Sequence, residues 1–181
     1  MNVSRRSVLV GSVLGVALVG CSHEEEHNDQ KWVNMSMTHV SVSHPASFTK
    51  NPQESDDSVV FFEQGDRWIT VNDKCSVDKD PVLAFQTVDR NMRQSNVKVY
   101  QAAAWKEVIV PGAAKAIECP FVYLEAGKKN PIYGYWFFAS LLFAGTSLVT
   151  VAGPKDDPEF AHKVLSTMKL HDHLKGVDKP K

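Results

Sequence analysis

The 181-residue sequence predicts a single α+β domain, in which a mostly antiparallel sheet is covered by helices on both faces. Short runs of β-branched and aromatic residues recur between turn signals, which is typical of strands. Only two segments carry the apolar spacing of an amphipathic helix. The run 136–143 is apolar almost without interruption, which indicates a strand covered on both faces.

Composition excludes two function classes. Hydrophobic residues make up 43% of the chain and charged residues 23%, close to globular averages, so a mainly disordered protein is excluded. The formal net charge is −1, whereas a dedicated nucleic-acid binder carries a basic surplus. We therefore expect no nucleic-acid partner.

Residues 1–20 predict a cleaved signal peptide. Arg5 and Arg6 precede an apolar run at 8–19, which is shorter than the about 20 residues that a membrane-spanning helix needs. The arginine pair also resembles a twin-arginine export signal, although Val8 and Val10 depart from its usual residues. The general secretory route and the twin-arginine route both stay open.

The four residues Leu18-Val19-Gly20-Cys21 resemble the bacterial lipobox. The resemblance implies that acyl chains such as palmitate are attached to the thiol of Cys21, after which the chain is cleaved before it. Two or three chains would hold the protein at the extracytoplasmic face of the cell membrane, since one chain binds only marginally. The alternative is an ordinary cysteine buried in a hydrophobic helix.

Residues 21–31 are polar beyond Cys21 and predict a tether between the anchor and the domain. His23 and His27 flank three glutamates there, which raises the idea of a metal site. Such a cluster needs further ligands fixed by a fold, so we expect a hydrophilic leader and no metal.

The domain is predicted to span 32–170 and to open with β structure. The apolar alternation of 33–42 slips near Thr38 and His39, which predicts a bulge or a break, and Pro45 ends the segment. Segments 58–63 and 67–72 flank Gln64-Gly65-Asp66, which is the pattern of a β-hairpin.

Two helices are predicted from the same opening, an Asp N-cap followed by Pro. The first runs from Asp80-Pro81 to Asn96, and the second begins at Asp157-Pro158. Between and after them, β-like segments lie at 97–100, 106–110, 115–124, 132–143 and 146–152. Residues 171–181 are predicted to be a polar tail, in which His171-Asp172-His173 is solvated and binds no metal.

The order of these elements resembles the PsbP-like α/β/α sandwich of actinobacterial lipoproteins of the LpqN/LpqT type. Segments 41–45, 108–114 and 148–154 carry the resemblance, together with 166–170, over roughly 33–170. Phe48 stands where this family commonly has a Trp soon after the proline. The resemblance implies a binding or accessory protein, and it brings no catalytic residue and no cofactor.

The remaining cysteines, Cys75 and Cys119, leave two alternatives open. Outside the cytoplasm two thiols tend to be oxidised, so a disulfide between them is one prediction. The other alternative is two unrelated buried thiols.

Two functional hypotheses follow. The first is a non-catalytic binding module of the cell envelope, whose partners are the membrane, through its lipid anchor, and an envelope protein, lipid or glycan. Tyr133 and Tyr135 could line its groove or belong to the core. The second is an envelope enzyme whose catalytic groups converge only in the fold. It predicts that two or more residues of one set lie within hydrogen-bond reach in a cleft: His39, His44, Asp73, Cys75 and Asp80.

Overall fold

The computed structural model describes residues 31–172. The predicted signal peptide, Cys21 with the tether to residue 30, and the tail beyond residue 172 lie outside the described residues. Within them the chain forms antiparallel sheets with two helices, as predicted for the class. Neither helix is long and apolar enough to cross a membrane.

The two helices are α1 (Pro81–Gln94) and α2 (Pro158–Thr167). The strands in chain order are β1 (Trp32–Ser36), β2 (Val40–Pro45), β3 (Thr49–Lys50), β4 (Val59–Gln64), β5 (Arg67–Ser76), β6 (Val97–Ala102), β7 (Lys106–Glu107), β8 (Lys115–Glu125), β9 (Ile132–Leu141), β10 (Gly145–Gly153) and β11 (Lys169–Leu170). A large sheet has the order β3-β4-β5-β10-β9-β8-β6, with β7 paired to β8. A small sheet has the order β1-β2-β11.

The predicted slip near Thr38 and His39 is a break. Strands β1 and β2 form a hairpin, and the backbone N–H of Met37 donates to the carbonyl of Val40 across its turn (2.8 Å). The Asp73 carboxylate fixes this turn from the large sheet, since its Oδ1 accepts the backbone N–H groups of His39 (2.7 Å) and Val40 (3.2 Å).

Both helices begin as the sequence predicts. The Asp80 carboxylate accepts the backbone N–H of Val82 (3.0 Å), and the Asp157 carboxylate accepts that of Phe160 (3.0 Å). These bonds satisfy donors that a helix leaves unpaired in its first turn. The first helix ends at Gln94, with Ser95 as its C-cap, slightly before the predicted end at Asn96.

Strand β9 separates two hydrophobic cores. Its residues Tyr135, Phe137, Ala139 and Leu141 belong to the first core, which Ala161 and Val164 of α2 complete from the other side. Its residues Trp136 and Phe138 belong to the second core, against Ala84 of α1. Successive side chains of a strand point to opposite faces, so the unbroken apolar run is explained by burial on both sides.

The small sheet also covers the face of the large sheet that α2 covers. Val40, Val42 and Leu170 are buried in the first core, and Phe48 is buried there in stacked contact with Phe160 (5.7 Å between ring centroids). The cover on this face is therefore a helix and a three-stranded sheet together, where the sequence predicts only helices.

Candidate functional site

The predicted disulfide between Cys75 and Cys119 is wrong, because both cysteines are free thiols. Cys75 lies on β5 and Cys119 on β8, with β10 and β9 between them. Neighbouring strands are about 4.8 Å apart, so the two strands lie roughly 14 Å apart, whereas a disulfide needs Cα atoms within about 7 Å. Burial raises the pKa of each thiol to about 12, so each stays protonated at neutral pH.

Two members of the predicted catalytic set do meet. Nδ1 of His39 lies 2.8 Å from Oδ2 of Asp73, whose other oxygen holds the β1–β2 turn. The pair is partly buried, with 25% of the His39 side chain and 10% of the Asp73 side chain exposed.

His44 and Asp80 have structural partners of their own. The ring of His44 is buried and stacks on Phe62 at 4.0 Å between centroids. Asp80 caps α1 and lies 3.2 Å from Nζ of Lys115. The pKa of Asp80 is lowered, first by the backbone N–H of Val82 and then by the Lys115 ammonium. The five residues are therefore not gathered in one cleft.

A polar groove lies on the outer face of the small sheet, beside the β1–β2 turn. Its volume is about 560 Å³, and the residues that line it are Asn34, Ser36, Ser41, Ser43, Ser166, Thr167, Lys169 and His171. Ser41, only 5% exposed, is at the centre, and its Oγ lies 2.8 Å from Nε2 of His171. We call this set the polar groove.

The sequence predicts that His171 lies in a solvated tail, but in the structure it contacts the domain. Its backbone N–H donates to the carbonyl of His39 (2.8 Å), and its ring contacts Ser41. The ordered contacts of the domain therefore extend past the predicted boundary at residue 170.

A second feature is an apolar tip at the end of the large sheet where β9 turns into β10. The apolar tip consists of Val77, Leu142 and Phe143, which are 77%, 61% and 68% exposed. The turn lies directly on the segment after β5, since the Thr146 hydroxyl donates to the carbonyl of Asp78 (2.6 Å). The sequence places Leu142 and Phe143 inside a buried strand, whereas β9 ends at Leu141.

The described chain begins at the opposite end of the molecule from the apolar tip. Trp32 packs on Phe160 at the start of α2, with ring centroids 6.1 Å apart. The beginning of β9 lies at this end too, where Tyr133 pairs with Gly153 of β10. Strand β9 has 10 residues and so separates the two ends by roughly 30 Å.

The two tyrosines of the predicted groove have different environments. Tyr135 is 7% exposed in the first core, and its hydroxyl donates to Asp156 (2.8 Å). Burial and this bond raise the pKa of Tyr135. Tyr133 instead lines a cleft of about 240 Å³ beside Phe121. The groove prediction therefore applies to Tyr133, and Tyr135 belongs to the core.

This chain resembles known proteins in fold and not in sequence. No family model and no curated protein sequence matches it. The Ran-binding protein Mog1p of Saccharomyces cerevisiae is similar in fold, with a TM-score of 0.55 at 11% identity over 79% of this chain and 97% of Mog1p. A second Mog1 structure, of a point mutant, gives a TM-score of 0.56 at 11% identity over 80% of this chain and 98% of that one.

LpqN of Mycobacterium tuberculosis, a protein involved in cell envelope biogenesis, aligns over 78% of this chain and 91% of its own, at 11% identity. Its TM-score of 0.47 is too low to establish a shared fold. The comparisons thus show a Mog1-like fold.

Proposed function

We propose that this protein is a lipid-anchored binding module of the bacterial cell envelope, which docks a protein partner through the apolar tip. The exposure of Val77, Leu142 and Phe143 carries the proposal. The proposal includes lipidation of Cys21, an extracytoplasmic location, and membership of the PsbP-like α/β/α family.

Several features support a binding surface at the tip. Single exposed apolar side chains are ordinary on a protein surface, whereas adjoining ones mark sites of interaction. Lys79 holds its ammonium 5.8 Å from the Phe143 ring centroid, so a cation borders the apolar surface. Apolar centres with charged rims are usual in protein interfaces.

The position of the tip favours a protein over the membrane that would hold the anchor. The chain enters the domain at Lys31, next to Trp32, and the tip lies at the far end of β9. A tether attached at Cys21 would therefore join the domain at the end opposite the apolar tip, so the tip would point away from the membrane. Mog1p, which shares the fold, is named for binding the protein Ran, so the fold is used for protein recognition elsewhere.

Site-specific photo-cross-linking in the native envelope tests the tip. A photoreactive amino acid replaces Phe143 or Leu142 in the full chain, and matched controls carry it at Leu83 or Val99, which are 48% and 53% exposed. We expect a discrete adduct from the tip positions that Val77→Asp abolishes. Adducts of equal yield from the control positions, or none from the tip, would contradict the proposal.

The anchor is tested separately. We expect Cys21→Ser to move the protein from the membrane fraction to the soluble fraction and to remove palmitate labelling, whereas Cys75→Ser leaves both unchanged. A wild-type protein that carries no acyl label and never sediments with membranes would refute the anchor and leave the tip to be judged by its own cross-links.

A second candidate function, that of a hydrolase, is favoured by one observation. The Ser41 hydroxyl contacts the His171 imidazole, and the His39–Asp73 pair lies beside them. A serine next to an imidazole is the arrangement of an activated nucleophile. A fluorophosphonate probe that labels wild type, and labels neither Ser41→Ala nor His171→Gln, would establish this function. Absence of labelling in wild type would end it.

A further inference from the structure

The polar groove differs from the rest of the surface in its chemistry. Its eight lining residues include four serines, one threonine, one asparagine, one lysine and one histidine. Among the residues that the structure describes, no Asp, Glu, Phe, Tyr or Trp lines the groove. The groove therefore offers polar side chains and the ammonium of Lys169, with no carboxylate among its lining residues.

The groove follows from the register of the small sheet. Ser36 pairs with Ser41 across β1 and β2, and Lys169 pairs with Ser41 from the other side. Asn34 pairs with Ser43 in the next row. Because alternate residues of a strand share a face, these pairings gather hydroxyls, an amide and an ammonium on the side turned away from the first core.

Lys169 provides the charge, and His171 stands beside it. They are alternate residues of one chain segment, so both line the outer face; Lys169 stands in the row of Ser41, and His171 stands next to His39. Among residues 31–172, Lys169 makes no ion pair, unlike Lys106 and Lys115. An ammonium next to donors and without a carboxylate attracts an anion.

Ser41 supplies a fixed point at the floor. It is 5% exposed, and the His171 ring holds its hydroxyl at 2.8 Å. Thr167 is also fixed, since the backbone N–H of Ser43 donates to its hydroxyl (2.8 Å) and its own hydroxyl lies 2.7 Å from the Val164 carbonyl. The groove is thus partly preorganised, which lowers the entropy that a ligand must lose.

This chemistry distinguishes between ligand classes. A sugar site would present an aromatic face and carboxylate acceptors, and the groove has neither among its lining residues. Serine and asparagine side chains with a lysine are the usual partners of phosphate oxygens. We propose that the polar groove binds a phosphate group, carried either by a soluble phosphate ester or by a lipid headgroup. This site is separate from the apolar tip and does not depend on the proposed function.

The test uses the full chain, purified as the Cys21→Ser variant, with glycerol phosphate as the soluble probe. We expect saturable chemical-shift changes at backbone amides of the groove, at 41, 43, 169 and 171. We expect Lys169→Ala to weaken binding roughly tenfold, because one charged contact is lost, and Lys169→Arg to keep most of it. Lys50→Ala, on the exposed edge strand β3, is the matched control and should bind as wild type does.

A second arm identifies the source of the phosphate. Phosphatidylcholine vesicles with and without phosphatidylglycerol are offered to the same variants in a flotation assay. Flotation that requires phosphatidylglycerol and Lys169 points to a headgroup, and saturable binding of glycerol phosphate alone points to a soluble ester. Equal binding by Lys169→Ala and wild type in both arms, with unchanged thermal unfolding, would overturn the proposal, as would shifts centred away from the groove.

Discussion

Glu118 is 1% exposed, and its two carboxylate oxygens lie 3.1 and 3.0 Å from Nε2 of His162. It reaches from β8 to the helix α2, so one polar contact joins sheet and helix. Nζ of Lys106 lies 3.2 Å from the same carboxylate, with 61% of the Lys106 side chain exposed. A buried acid is thus held between two partners at the surface.

We expect His162→Ala to lower the free energy of unfolding by about 1–3 kcal/mol, because Glu118 then loses a partner while it stays buried. Glu118→Gln should cost less in the His162→Ala background than in wild type, since the buried carboxylate that it removes has then already lost one of its two partners. Urea titration of the four proteins measures this coupling. Lys106→Ala serves as a control and should cost under about 1 kcal/mol, since its ammonium is mostly solvated. Strictly additive costs would refute the coupling.

The thiols give a prediction about reactivity and pH. Burial raises the pKa of Cys75 and Cys119 from 9.0 to about 12, so both stay protonated in the folded state at about pH 8. We expect slow reaction with Ellman's reagent until urea unfolds the chain, and no change of Tm on adding reductant. Because the folded pKa is the higher one, stability is full below pH 9.0 and falls as the pH rises towards about 12. A thiol that reacts at once in the native protein would contradict the burial.

Two glycines form a matched pair, since both have a positive φ, +84° at Gly112 and +83° at Gly127. A Cβ at Gly112 would overlap the carbonyl oxygen of Leu170, whereas a Cβ at Gly127 meets nothing within 4 Å. We expect Gly127→Ala to cost about 1 kcal/mol from the backbone alone. Gly112→Ala should cost about 1–3 kcal/mol more, because it pushes β11 away from its place. Equal decreases of Tm for Gly112→Ala and Gly127→Ala would contradict this prediction, because they would show that the backbone around Gly112 moves to make room for the methyl group.

Asp89 gives a prediction about how stability changes at low pH. Its carboxylate accepts two bonds from the Arg93 guanidinium (2.9 and 3.1 Å) and one from the Tyr100 hydroxyl (2.7 Å). The Arg93 hydrogen bonds chiefly lower the pKa of Asp89 below 3.8, so the stabilisation is present above 3.8 and is lost as the pH falls through the lowered value.

We expect Asp89→Asn to cost roughly 1 kcal/mol at neutral pH, a modest figure because 58% of the Arg93 side chain is exposed. The difference from wild type should shrink as the pH falls below 3.8. Chemical denaturation at several pH values checks this, with Asp57→Asn, at an exposed loop position, as the control. A cost that does not change with pH would assign the effect to packing.

Local patterns predict most of this fold, and long-range pairings account for what they miss. The Asp80-Pro81 and Asp157-Pro158 openings and the turn at Gly65 are signals within a few residues, and the structure confirms them. Strands β3 and β11 have two residues each, which is too short for any periodicity.

The candidate sites were largely hidden for the same reason. Ser41 and His171 meet although they are 130 residues apart in the chain, so no motif could join them. The disulfide prediction failed because β10 and β9 lie between the strands that carry Cys75 and Cys119, and the sequence does not reveal this strand order. The apolar tip had one available signal, since Leu142 and Phe143 are separated only by Ala144 from a turn glycine, Gly145.

Strand β9 contributes to both cores and pairs with β10 and with β8 along nine of its ten residues each. Opening either core alone would expose apolar side chains on one face while the ladder holds the other face in place. The two halves of the domain should therefore unfold as one cooperative unit. Amide hydrogens of β9 would then exchange with solvent only through global unfolding, while β3, at the edge of the sheet, exchanges through local fraying.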